Sequence, residues 1–143
     1  MLLYLDNCCF NRPFDDQTQL KISLESQAKL FVQNEIVTGR FNLLWSYILE
    51  HENNVNPFEP RRDSVKRWKE IAVKAIVESV EVIIFGESLI KRGVKLYDAL
   101  HVACAYVGGC NRFLTVDKKL LNKPINEIIL QNPLDFVREM EVF

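Results

Sequence analysis

The sequence predicts an α/β fold: a three-layer α/β/α sandwich around a central parallel β-sheet, carried by a single domain over residues 1–143. Three observations predict it. Short apolar runs recur without clean period-2 alternation, as strands covered on both faces do. Segments with helical apolar spacing separate those runs. At 143 residues the chain can bury one sizeable core but is too short for two.

The elements follow in order. Leu2–Leu5 reads as a buried strand that turns at Asp6 and Asn7. Residues 11–16 read as a loop. From Gln17, the residues Leu20, Leu24, Ala28, Phe31, Val32 and Ile36 fall on one helical face, and Gly39 supplies a C-cap. Residues 41–45 form the second strand, and Ser46 is a good N-cap for a helix carrying Tyr47, Ile48 and Glu50. Asn53, Asn54, Asn56 and Pro57 break that helix. Residues 59–75 read as a charged helix with Val65, Trp68, Ile71 and Ala72 on one face. Residues 80–85 read as a third, buried strand ending at Gly86, followed by a short helix over 87–92 capped by Gly93. Leu96–Val107 is strongly helical, with Ala99, Leu100, Ala103, Cys104 and Val107 on one face, and Gly108 and Gly109 end it. Residues 113–116 form a fourth strand, followed by Asp117 and a short helix to Leu121. Residues 128–130 make the last strand. Pro133 opens a C-terminal helix at its first position, where a missing N–H costs nothing.

Charge is balanced in sum and uneven along the chain. Eighteen Lys and Arg oppose 19 Asp and Glu, for a net charge of −1. Residues 1–56 carry −3, residues 57–123 carry +5 and residues 124–143 carry −3. This excludes a uniformly basic nucleic-acid coat and leaves room for local fields. No apolar run approaches the ~20 residues that span a bilayer, and the run at Met1–Leu5 is too short for a signal peptide. Cys8, Cys9, Cys104 and Cys110 lack zinc-site spacing and read as free thiols of a cytoplasmic protein.

In an open parallel sheet, ligands bind beyond the carboxyl ends of the strands. Four acids fall there or at helix starts: Asp6, Glu50, Asp98 and Asp117. Each alone has an ordinary use. Asp98 and Asp117 could cap helices, Asp6 could form a turn, and Glu50 could sit in solvent. Together they repel, by about 4 kcal/mol for a pair ~4 Å apart at an effective dielectric of 20. Either protons or a cation must join them, and all-oxygen ligands suit Mg²⁺ or Mn²⁺. Such an ion activates water and offsets charge in a phosphodiester displacement.

Four stretches carry a family resemblance: Asp6 after the first strand; Ser46-Tyr47-Ile48-Leu49-Glu50; Asp98-Ala99-Leu100-His101-Val102-Ala103-Cys104-Ala105; and Phe113-Leu114-Thr115-Val116-Asp117. Together they resemble the PIN-domain nucleases, in their single-domain prokaryotic form. The resemblance spans nearly the whole chain and implies the α/β/α fold. It implies a divalent-metal site in which Asp6, Asp98 and Asp117 bind the metal, and Glu50 is the helix-borne acid. It implies single-stranded RNA as substrate, and often a toxin role with an antitoxin protein and a homodimeric assembly. Ser46 and Thr115 become polar supports, and Asn7 stands where Thr or Ser is common. Glu52 lies two residues after Glu50, roughly 200° around a helix, so only one can face the site; the Ser-x-x-x-Glu spacing favours Glu50.

Other residues are less specific. Arg12, beside the first strand's end, could touch a phosphate or pin its loop. The basic helix with Arg61, Arg62, Lys66, Arg67, Lys69 and Lys74 could guide a phosphate backbone, with Trp68 as a stacking surface. It could equally be a solvated amphipathic face. His51 and His101 are lone histidines, suited to surface or supporting roles. One rival reading is a catalytically inactive PIN-like domain that binds RNA or protein. Another is a phosphatase-like or nucleotide-binding α/β protein, which lacks here a P-loop, a G-x-G-x-x-G run and an Asp-x-Asp pair.

Overall fold

The structure, a computed structural model, describes residues 1–11 and 19–141. In chain order the elements are β1 (Leu2–Leu5), α1 (Asn7–Asn11), α2 (Leu20–Val37), β2 (Asn42–Ser46), α3 (Tyr47–Asn54), α4 (Glu59–Ile71), β3 (Lys74–Ile76), α5 (Val80–Lys91), α6 (Leu96–Val107), β4 (Arg112–Leu114), α7 (Lys118–Leu121), β5 (Ile129–Gln131) and α8 (Pro133–Glu141). The five strands form an all-parallel sheet in the order β3-β2-β1-β4-β5. The helices cover both faces, so the expected α/β/α sandwich is the observed one.

Burial explains the missing alternation. Leu3, Tyr4 and Leu5 of β1, Leu43, Leu44 and Trp45 of β2, and Phe113 and Leu114 of β4 are all buried. On one face Tyr4 stacks on its register partner Phe113, with centroids 5.1 Å apart, and meets His101 of α6 edge-on. Trp45 instead meets Phe10 of α1, which also contacts Trp68 of α4. Chain direction along the sheet reverses at β1: β2 and β3 extend one way, β4 and β5 the other. The gap beyond β1 and β4 is therefore the switch point of the sheet, where such folds bind ligands.

The third strand departs from expectation. Residues 80–85 belong to helix α5, not to a strand. Ser79 caps it by accepting from the Val82 amide at 3.2 Å. Val82, Gly86 and Leu89 face inward at helical spacing, whereas Val80 and Ile84 stay exposed at 73% and 62%. Apolar residues on the solvent face thus hid the helical period. Gly86 lies within the helix, because a Cβ there would meet Leu100 Cδ2 of α6 at 3.3 Å. The edge strand β3 comes earlier, cut from the end of the expected 59–75 helix, and pairs only with β2. It is short and mostly exposed, with Lys74 at its start, so nothing in its side chains marks it as a core strand. A second departure is α1, which replaces a simple turn as the Cys9 amide bonds back to the Asp6 carbonyl at 2.8 Å. Gly93 and Gly109 end their helices with positive φ, as expected.

Candidate functional site

Asp6 leaves β1 at the switch point and is 7% exposed. Its amide bonds to the Leu114 carbonyl at 3.0 Å, which fixes it to the end of β4. Its carboxylate accepts from the Asn7 amide at 2.7 Å and from the Thr115 hydroxyl at 2.9 Å. Thr115 is fully buried and also accepts from the Asp117 amide at 3.1 Å, so one hydroxyl ties the first acid to the backbone of the last. Asp117 caps α7 through one oxygen, which accepts from the Lys119 and Leu120 amides. Asp98 stands in the first turn of α6.

These acids share one electric field. The Asp98 carboxyl is raised from 3.8 to about 6, first by burial and then by the charges of Asp6, Asp117 and Glu52, with His101 opposing. Among the described residues no Lys or Arg pairs with Asp6, Asp98 or Asp117. The donors are hard oxygens with uncompensated charge, which fits a divalent cation in chemistry. Among the same residues, however, no three His, Cys, Asp or Glu side chains form a ready-made ligand group.

The two acids of α3 point to different neighbours. Glu50 reaches toward α4, where it pairs with Lys69 Nζ at 2.7 Å. Glu52 acts on Asp98 and bonds to His101 Nε2. The Ser-x-x-x-Glu spacing placed Glu50 on the first turn correctly but could not say which way α3 faces. Ser46 caps α3, accepting from the Leu49 amide at 3.1 Å, and its hydroxyl meets the Tyr4 hydroxyl at 2.6 Å. Arg12 lies outside the described residues.

Sequence reasoning gave His101 a surface or supporting role and passed over other neighbours. His101 is buried, at 1% exposed, with Nδ1 2.5 Å from the Tyr4 hydroxyl. Its signal was a histidine three residues after Asp98 among buried alanines. Tyr4 is the only polar-tipped residue of its strand. The Cys8 thiol lies 3.5 Å from both Asp6 Oδ2 and the Thr115 hydroxyl. Its hydrogen bond with Cys9, its burial and the Asp6 charge push it well above its ordinary value, so it stays a protonated donor. Lys95, Lys119 and Lys123 line a cleft of ≈ 70 Å³ with Asp98 and Asp117, and no pattern in the sequence joins these three positions. The Trp68 ring is partly buried beside Phe10, and Lys69 is engaged by Glu50.

No family model and no curated protein matches the chain. Solved structures do. The chain is similar to one in the structure of VapBC2 from Rickettsia felis bound to a DNA fragment from their promoter, with a TM-score of 0.64 and 13% identity, covering 92% of this chain and 98% of that one. It is also similar to a chain of VapBC-1 from nontypeable Haemophilus influenzae, with a TM-score of 0.54 and 14% identity, covering 93% and 98%. At such identities the likeness is one of fold, and the sheet order and layers described above are those of a PIN-like fold.

Proposed function

We propose that the protein is a divalent-cation-dependent endoribonuclease that hydrolyses single-stranded RNA phosphodiesters, with Asp6, Asp98 and Asp117 holding Mg²⁺ or Mn²⁺ and Glu52 as the helix-borne acid. The observation that carries the reading is the gathering of Asp6, Asp98 and Asp117 at the switch point, where Thr115 ties Asp6 to Asp117, no described Lys or Arg pairs with them, and Asp98 is pushed up by burial and its neighbours' charge. A site of this kind is costly to keep without a use for its charge. When bound, the cation supplies positive charge to the phosphate and a water that ionises near neutral pH.

The chain's own groups do the positioning. The Asn7 amide and the Thr115 hydroxyl hold the Asp6 carboxylate in one orientation. The cap on α7 leaves the second oxygen of Asp117 without a protein donor among the described residues. Lys95, Lys119 and Lys123 stand at the rim of the same cleft and would receive the phosphates on either side of the cut.

The likeness to VapBC assemblies supports an antitoxin-type protein partner for a chain of this fold. Val77, Val80 and Ile84 expose apolar surface that suits such a partner or a second copy in a homodimer. A cytoplasmic location goes with this reading; no helix among the described residues is long and apolar enough to cross a membrane. One observation favours a second reading, a PIN-like module that binds RNA without cutting it: the acids do not stand as a finished ligand group. A single assay separates the two. Wild type and Asp98→Asn are given single-stranded RNA with Mn²⁺ and with chelator. Cleavage is expected only for wild type with Mn²⁺, and a loss of about 100-fold or more in the variant. Equal activity in all four conditions sinks the metal-nuclease reading.

A further inference from the structure

We propose that Ser46, Tyr4 and His101 form a directional hydrogen-bond relay that positions the Glu52 carboxylate, and that this relay selects Glu52 over Glu50 as the working acid of α3. The inference rests on the nuclease reading for its consequence, and on geometry alone for its existence. Its three members are buried and come from different elements: Ser46 from the end of β2, Tyr4 from β1 and His101 from α6.

With a neutral imidazole, donor counting gives one direction. The Leu49 amide donates to the Ser46 oxygen, which leaves the hydroxyl hydrogen free to point elsewhere. At 2.6 Å that hydrogen can go to the Tyr4 oxygen. Tyr4 then gives its own hydrogen to His101 Nδ1 at 2.5 Å. A neutral imidazole with Nδ1 accepting carries its one proton on Nε2, the nitrogen that faces Glu52. For a neutral ring the reverse direction would turn a bare Nε2 lone pair toward the partly exposed Glu52 carboxylate, and two acceptors would meet. Tyr4 and Ser46 therefore set the tautomer, as the outer partner of a ring commonly does. Burial keeps the Tyr4 phenol well above its ordinary value, so it remains a donor.

The relay also explains an arrangement that α3 alone does not. Glu50 and Glu52 point roughly 200° apart, so one must leave the site. Lys69 offers Glu50 an exposed partner, whereas His101 offers Glu52 a donor buried in the core. Asp98 lies three residues before His101 on the same helical face, so one helix carries both the acid and the holder of its neighbour.

The experiment has two arms on the full chain. The first reads the imidazole nitrogens of His101 by NMR in metal-free protein; with only two histidines, His51→Gln assigns the signals. A neutral ring with the proton on Nε2 is expected, shifting to a mixture of tautomers in Tyr4→Phe. A ring protonated on Nδ1, or on both nitrogens at neutral pH, overturns the relay. The second arm compares His101→Gln, whose amide N–H can replace Nε2–H, with His101→Asn, which cannot reach Glu52. Asparagine is expected to lower kcat about 30-fold at unchanged KM and glutamine less than about fivefold. Equal losses in two folded variants overturn the positioning role. A wild type that cuts no RNA defeats the nuclease reading instead, while the tautomer still decides the relay.

Discussion

Carboxylates at two places in this molecule have opposite fates. At the rim, Glu127 receives two parallel bonds from Arg92, at 2.8 and 2.6 Å, and is pulled down to about 2. Glu139 is likewise held below its ordinary value, by Gln131 and by Arg112. At the end of the sheet, Asp98 is pushed up to about 6 among acids that no described Lys or Arg neutralises. Cations are not scarce, since the chain carries 18. Arg40, Lys69, Arg92 and Arg112 pair with carboxylates elsewhere, whereas the lysines lining the cleft with Asp98 and Asp117 form no ion pair with them among the described residues. The rim pairs are neutralised within the chain, and under the proposed function the central acids would be neutralised by a cation.

Four measurements test this contrast between rim and centre. The largest effect is on cleavage. Asp117→Asn is expected to lose about 100-fold or more of RNA cleavage in Mn²⁺, and Glu127→Gln essentially none. Equal losses would mean that both act through stability alone. Next is the cleft. Lys119→Ala and Lys123→Ala should each raise KM and lower the salt dependence of RNA binding by about one unit of slope, because each removes one phosphate contact. Lys66→Ala, on α4, should leave both unchanged. An effect at Lys66 and none at Lys119 would return the substrate path to the basic helix.

The third effect is on stability. The folded value of Asp98 lies above its unfolded value of 3.8. Ionisation therefore costs the folded state: the stabilisation is complete below pH ~4, falls as pH rises to ~6 and is flat beyond. Asp98→Asn should thus stabilise the metal-free protein at pH 7.5 by about 1–2 kcal/mol, allowing for partial exposure, and do nothing at pH 3.5. Thermal melts at both pH values, with and without Mn²⁺, check this; the cation should stabilise wild type more than the variant. The smallest effect is its mirror image at the rim. Glu127 has a depressed folded value, so its contribution is present above its unfolded value of 4.5 and fades as pH falls toward 2. Glu127→Gln should lose a little stability at pH 7.5 and none near pH 2, read by the same melts.

What could be read in the sequence was what depends on local pattern. β1, α6 and β4 are bounded by turns and caps, and their acids Asp6, Asp98 and Asp117 follow from strand ends and a helix start. What escaped depends on rotation or on distance through space. Glu50 and Glu52 sit on the same short helix, and only the packing of α3 against α4 and α6 decides which faces Asp98. The apolar solvent face of α5 imitates a strand because Val80 and Ile84 are exposed without being polar. Lys95, Lys119 and Lys123 come together across two chain segments, and no local spacing records that meeting.

The Thr115 hydroxyl, which joins Asp6 across a separation of 109 residues, has a consequence for synthesis. Helices such as α2 can form as they emerge, and β1 can pair with β2 early. The acids cannot gather until β4 and Asp117 have been made, because the loop that separates them must close first. A nascent chain that ends before β4 therefore carries Asp6 and Asp98 without Thr115 and Asp117. Under the proposed function, cleavage would begin only once β4 and Asp117 have joined β1.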